Sequence, residues 1–306
     1  MGKISAVLNV IDEEIELLPR ALASIENLAD EIVIVDMTTS PKEVKTIGVR
    51  FNARICPHER VNYVELIRNF GIIKATNEWV LILDPDEEIP PTLAKKLKEL
   101  VKKNEYAYFR IPRKNIVFGK WLRHSRWWPD YNIRFFKKGS VSWSEIIHAV
   151  PITSGRGADL PEKEEYAITH HNYQTIEQFL DRMNRYTTVA SNMKIKEGYR
   201  FIWRDMVQKP SSEFLSRYFA GEGYKDGLHG LTLALLQAFS EIILYIKIWQ
   251  KEKFLEQAIS AKEIENEFGS LMNDVRFWLA DMSIKTKDII SSLPDRIIRK
   301  LSEKNA

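Results

Sequence analysis

The sequence predicts an α/β fold in which a mostly parallel sheet is flanked by helices and followed by an all-helical C-terminal extension. Three observations carry this. Short β-branched runs alternate with segments of helical period through the N-terminal half, and the apolar run Trp79 to Leu83 ends abruptly in Asp84, Asp86, Glu87 and Glu88. After Glu197 the pattern becomes helical throughout, with long apolar stretches. The division expected is one domain over residues 1–197 and a helical region over 198–306.

Each element follows from local pattern. Lys3 to Val10 is a short apolar strand candidate, and Leu17, Leu18, Leu22 and Ile25 share one face of the helix after it. Glu31 to Asp36 is a β-branched run too short for a helix and bounded by polar residues, hence a fully buried strand. A short helix begins near Ser40-Pro41, a brief strand surrounds Ala53 to Cys56, a helix spans Tyr63 to Ala75, and Trp79 to Leu83 is the next buried strand. Such alternation implies βαβ units with ligands bound beyond the carboxyl ends of the strands. Asn9, Asp36, Asp84 and Asp86 all fall at such ends.

Composition bounds the function. With 44% apolar and 28% charged residues, the chain of 306 residues is globular rather than disordered. Its 45 basic and 42 acidic residues leave a net charge of only +3, too balanced to suggest nucleic-acid binding, and none is expected. Arg110 to Lys138 is locally basic and rich in Trp and Tyr, which suits sugar, phosphate or membrane-surface contact. The lone Cys56 excludes an intramolecular disulfide and a cysteine zinc site. The start of the chain runs into a strand pattern without a long apolar core, so a cytoplasmic location is expected.

Four acids within five residues at a strand end repel one another, and a divalent cation among them relieves that repulsion. The plainer alternative is that they are solvated loop or cap groups before the helix opened by Pro90-Pro91-Thr92. Convergence of three strand ends on one edge favours the ligand site. Neither GxGxxG after the first strand nor GxxxxGK[ST] occurs, which argues against a dinucleotide oxidoreductase and a P-loop NTPase.

The order Ile4 to Asn9, Asp12-Glu13-Glu14, Asp30 to Asp36, Arg68-Asn69, Trp79 to Glu87, Trp128-Pro129-Asp130 with Arg134, His148, and His170-His171 resembles the inverting family 2 glycosyltransferases of GT-A fold. Within them it is similar to the branch that glycosylates lipopolysaccharide cores and other envelope glycans. The likeness stops short of the last fifty or so residues. It implies a nucleotide-sugar donor, UDP- or GDP-linked, and a glycan or lipid-linked acceptor. It also implies that Asp36 contacts the donor base, that Arg68 lies on the base or ribose side, and that Asn9 borders the donor. Asp86 would coordinate Mn²⁺ or Mg²⁺ on the diphosphate, with Asp84 on the ribose or a metal-bound water. Of the pair His170-His171, the match implies that His170 reaches the metal or diphosphate, a capping or surface histidine pair being the plainer alternative, since two adjacent histidines on an extended segment cannot both face one metal.

The resemblance also exposes a departure. Related sequences place the base in a Glu directly after the residue matching His148, where this chain has Ala149. Asp130 and His148 are the remaining candidates for the proton acceptor, because Glu145 falls on the opposite strand face from His148. Trp127 and Trp128 suit an acceptor-side loop, and Trp143 suits packing.

Leu228 to Trp249 is the longest apolar stretch, interrupted by Glu241 and Lys247. With its basic and aromatic neighbours, the segment 201–250 is expected to touch a membrane surface, so that the protein lies peripherally on the inner face of the cytoplasmic membrane. Packing within a homo-oligomer is the alternative. Two other functions stay open: a catalytically lapsed nucleotide- or sugar-binding protein, motivated by Ala149, and a nucleotidyltransferase.

Overall fold

A computed structural model describes residues 2–61, 63–144 and 150–303. The chain divides into two compact units, the first formed by Met1–Ile116 with Trp128–Asn172. In chain order its first half holds β1 (Ile4–Val10), α1 (Leu18–Ile25), β2 (Glu31–Asp36), α2 (Pro41–Arg50), β3 (Arg54–Pro57), α3 (Glu65–Lys74) and β4 (Trp79–Ile82). The short β5 (Glu87–Glu88), α4 (Pro91–Lys103) and β6 (Tyr108–Val117) follow. After β7 (Lys120–Trp121) come β8 (Asp130–Lys137), β9 (Val141–Ser142), β10 (Ile152–Thr153), β11 (Gly157–Asp159) and β12 (Ile168–Tyr173).

The main sheet runs β3-β2-β1-β4-β8-β6-β12-β5, with β11 beside β6. The pairs among β3, β2, β1 and β4 are parallel, as the βαβ alternation predicts, whereas β8 lies antiparallel to both β4 and β6. The α/β class is as expected, and the antiparallel part is what the sequence did not announce.

Alternation along β1 shows how the sheet is buried on both faces. Ile4, Ala6, Leu8 and Val10 join a core with Leu18, Leu22 and Ile25 of α1 and Leu93 and Leu97 of α4. Val7 faces the other way, into a second core with Ile72, Val80, Ile82 and Phe136. On that side α3 comes close. A Cβ at Gly71 would stand 2.6 Å from Val7 Cγ1, so only glycine permits the approach. Trp79 stacks on Phe135 at 4.9 Å and closes the first core at the parallel–antiparallel junction.

The second unit comprises Val117–Trp127 and Tyr173–Ala306. Its helices are α5 (Ile176–Lys196), α6 (Asp205–Leu215), α7 (Leu228–Lys251), α8 (Ala261–Thr286) and α9 (Leu293–Glu303). Capping boxes at Thr175/Gln178 and Ser260/Glu263 start α5 and α8 by satisfying their first amides. The division therefore falls at 172/173, where the sequence reading had drawn it at 197/198. The reason is that α5 packs on α7.

Among the described residues α7 is the one helix long and apolar enough to cross a membrane. It also serves as a packing helix, burying Leu233, Ala234, Ala238, Leu244, Tyr245 and Ile248. Its Lys247 Nζ donates to the Asn184 carbonyl at 2.7 Å and to the Thr187 and Thr188 hydroxyls at 2.9 and 2.7 Å, which ties α7 to α5. Burial pushes the Lys247 ammonium down from its ordinary value. The charge that interrupts the apolar stretch is an anchor between helices.

Candidate functional site

The site lies within the first unit, and its foundation is the shared carboxyl edge of the parallel strands. Register sets Asn9 beside Val35 and Val10 beside Asp36, so these two strand ends emerge together. The Leu83 amide still bonds the Val7 carbonyl at 3.1 Å, which delivers Asp84 to the same edge one residue later. Asn9 is 4% exposed, and neither polar atom of its amide has a hydrogen-bond partner among the described residues. A buried amide left open on both atoms is costly unless something else bonds it. Asp36 is also buried, and its Oδ1 accepts from the Thr38 amide at 2.9 Å and the Thr38 hydroxyl at 2.7 Å, closing the turn after β2.

Around Asp84 three guanidiniums face three carboxylates. Arg134 Nη2 donates to Asp84 Oδ2 and, at 2.7 Å, to Glu87 Oε1. Arg68 Nη2 approaches Asp84 Oδ2 at 3.5 Å, with its guanidinium lying over the Trp143 ring. Arg113 reaches Glu87 at 3.3 Å and grips Asp130 Oδ2 through Nε and Nη2 at 2.9 and 2.6 Å. Glu87, fully buried, also accepts from the Asp84 amide at 3.0 Å. Burial by itself would raise the Asp84 carboxyl, but Arg134 and Arg68 outweigh it and hold the group far below the carboxylate range. Arg134 is shifted the opposite way: burial opposes its charge, and Asp84 and Glu87 more than restore it, raising its pKa. Desolvation dominates for Arg68, whose pKa is lowered. Buried charges on this scale persist only because each is paired.

A second chain of contacts leads from Asp130 to Asp86. Asn115 Nδ2 donates to Asp130 Oδ2 at 3.2 Å, which fixes the amide so that its Oδ1 meets His170 Nδ1 at 2.6 Å. The other nitrogen of that ring, Nε2, stands 3.4 Å from Asp86 Oδ2. Asp86 and His170 are each 5% exposed. Among the described residues no three acidic, His or Cys side chains converge as a closed metal cage. The pair fits a hard divalent ion that takes two protein ligands and completes its shell with phosphate oxygens and water.

Asp130 itself is held below its ordinary pKa: burial, which would raise it, is outweighed by Arg113 and by the Asn115 amide. Its Oδ1 also accepts from Asn132 Nδ2 at 3.0 Å.

The structure thus gathers Arg68 with Asp84, and Asp86 with His170, with Asp130 one amide away, while Asn9 and Asp36 sit on neighbouring strands. His171 points to the other side of β12, its Nε2 meeting Glu88 Oε1 at 2.6 Å. His148, with Glu145 and Ala149, lies outside the described residues. Trp143 is buried packing, with its backbone held by the Asn69 side chain at 2.7 and 2.9 Å. Trp127, expected in an acceptor-side loop, packs with Val117, Leu122 and Phe179 in the second unit.

The sequence reading placed Arg134 in the resemblance and Arg113 in the basic segment without giving either a role, did not single out Asn115, and left Glu87 as a peripheral acid. A signal was available. Arg113 and Asn115 on one strand, and Asp130, Asn132 and Arg134 on another, alternate with period two, which places each set on one sheet face.

Residues 5–155 match the family model described as glycosyl transferase family 2. The chain is similar to an uncharacterised glycosyltransferase of Rickettsia typhi, 24% identical over 81% of this chain and 87% of that one. It is also similar to one of Rickettsia bellii, 22% identical over 87% and 92%. A lipopolysaccharide core biosynthesis glycosyltransferase, LpsC of Rhizobium meliloti, is 22% identical over 81% of this chain and 92% of its own.

Proposed function

For this chain, a glycosyltransferase whose residues 5–155 form a family 2 domain, we propose transfer of a sugar from a nucleotide-sugar donor, with Mn²⁺ or Mg²⁺, to a glycan or lipid-linked acceptor of the cell envelope. The observation that carries the reading is the Asp86–His170 pair, oriented through Asn115, together with the open Asn9 amide at the carboxyl end of β1.

In this reading Asp86 and His170 hold the cation, which when bound neutralises charge on the departing diphosphate. Asn9 and Asp36 border the nucleoside, and Asp84, with Arg68, the ribose side. In-line displacement by an acceptor hydroxyl inverts the anomeric centre. Asp130 is ionised at neutral pH and so able to accept a proton, yet Arg113, Asn115 and Asn132 make it a weak base. His148 is the other proposed acceptor of that proton. The LpsC likeness favours an acceptor of the lipopolysaccharide-core kind, and with it work at the inner face of the cytoplasmic membrane.

A second reading, a binding protein without transfer, is favoured by the same saturation of Asp130 together with Ala149. Donor hydrolysis separates the two. A broad panel of nucleotide sugars with Mn²⁺ should yield released nucleoside diphosphate, at a rate reduced in Asp86→Ala. Metal-dependent binding of nucleoside diphosphates without turnover of any donor would leave the binding protein standing.

A further inference from the structure

Helix α9 is folded with its polar face inward. Residues three and four apart share a helix face, and Ser292, Asp295, Arg299 and Ser302 form the one that meets α8. There Asp295 Oδ2 accepts from the Ser283 hydroxyl at 2.7 Å and pairs with Lys287 at 3.1 Å, while Arg299 reaches Asp281 at 2.9 Å over the Phe277 ring. Ser292 and Ser302 are buried. The opposite face carries Leu293 and Ile297, 53% and 63% exposed, and the preceding turn adds Ile289 and Ile290 at 73% and 78%. A helix in water normally turns that stripe to the core.

We infer that this face of α9, with the Ile289–Ile290 turn, is a lipid-docking surface that lies in the headgroup boundary of an anionic bilayer. Charge supports a lipid occupant. Arg296 and Lys300 are exposed along one rim of the apolar stripe, whereas Asp295 is engaged inward as above and Asp288 by the Ile290 and Ser291 amides at 3.0 and 3.1 Å. Basic rims beside an apolar face are what an interfacial helix presents. A second copy is a poorer occupant. The stripe offers only a few aliphatic side chains, against about 20–30 residues a side in a stable protein interface. At 11 residues α9 is also shorter than two heptads, too little for a coiled coil. This surface lies beyond the segment 201–250, for which the sequence predicts membrane contact. The inference deepens the membrane-side location proposed above, and it is independent of the donor chemistry.

The test is sedimentation of the full chain with phosphatidylcholine vesicles containing or lacking phosphatidylglycerol, read alongside donor hydrolysis. Binding to the anionic vesicles is expected, lowered roughly tenfold or more in Ile290→Glu/Ile297→Glu and roughly fivefold per cation in Arg296→Glu/Lys300→Glu, with hydrolysis unchanged in both. Loss of hydrolysis in the wild type with vesicle binding intact would count against the transferase reading alone. Equal vesicle binding by wild type and both variants, or none by wild type, overturns the docking surface. So does a dimer by sedimentation equilibrium that the isoleucine variant dissolves, since a second copy then covers the face. Circular dichroism and melting of both variants establish that they are folded, and the charge-reversal pair, lying on the exposed rim, keeps the test decisive if the isoleucine pair is not.

Discussion

The Nδ1 of His170 lies 2.6 Å from Asn115 Oδ1, and the same amide gives its nitrogen to Asp130. One uncharged side chain therefore sets which nitrogen of His170 faces Asp86. Outer partners of this kind typically govern metal affinity by about 10–100-fold. Asn115→Leu should weaken Mn²⁺-dependent nucleoside diphosphate binding by roughly that factor. Titration calorimetry with and without the metal reads it, and an unchanged affinity would show that the tautomer is set elsewhere.

Asp86→Ala should remove the metal dependence altogether. In a thermal-shift series, the wild type gains stability from nucleoside diphosphate plus Mn²⁺ as RT ln(1 + [L]/Kd), about 2.7 kcal/mol at a hundredfold excess over Kd. The variant should keep only the metal-free increment. An equal Mn²⁺ increment in the variant would take Asp86 out of the metal site.

Arg134 is a matter of stability before it is one of chemistry. It is 3% exposed and bonded to both Asp84 and Glu87. Arg134→Met leaves the buried Glu87 and the part-buried Asp84 short of a cation, at a cost of about 3–5 kcal/mol by denaturant unfolding. Adding Glu87→Gln removes one of the stranded charges, so the double variant should be less destabilised than the sum of the singles. Strict additivity would mean that the two groups do not interact.

Glu31 offers a pH test away from the site. Burial would raise its carboxyl, but hydrogen bonds from Ser5, the Thr76 amide and hydroxyl, and Arg54 outweigh it and hold it at about 2, against an ordinary 4.5. A depressed carboxylate contributes stability above its unfolded pKa and loses it as pH falls through the folded one. Glu31→Gln should therefore cost about 1–2 kcal/mol at neutral pH, after allowance for solvent screening. The difference from wild type should shrink between about pH 4.5 and 2. A difference constant with pH would assign the loss to packing.

Gly71 should tolerate no side chain. Its Cβ would meet Val7 Cγ1 at 2.6 Å and Asn9 Oδ1 at 3.5 Å. Gly71→Ala is expected to destabilise by about 1–3 kcal/mol through overpacking against Val7 and Val35. A melt equal to wild type would show that α3 can move off the sheet.

The sequence by itself determined the parallel half of the sheet, because period-two and period-3.6 patterns are local and β1, β2 and β4 lie among their own flanking helices. It also placed Asn9, Asp36, Asp84 and Asp86 at or just beyond the carboxyl ends of three of these strands. What only the tertiary structure decided are pairings between residues far apart in the chain. Arg134 joins Asp84 across 50 positions and His170 joins Asn115 across 55, and both depend on β8, β6 and β12 assembling beside β4 in an order unrelated to sequence. The facing of α9 is of the same kind: its amphipathic pattern is plain in the sequence, but which face meets α8 is settled by the ion pairs of Asp295 and Arg299. Periodicity fixes that a helix has two faces, and only packing fixes which of them is left to meet another surface.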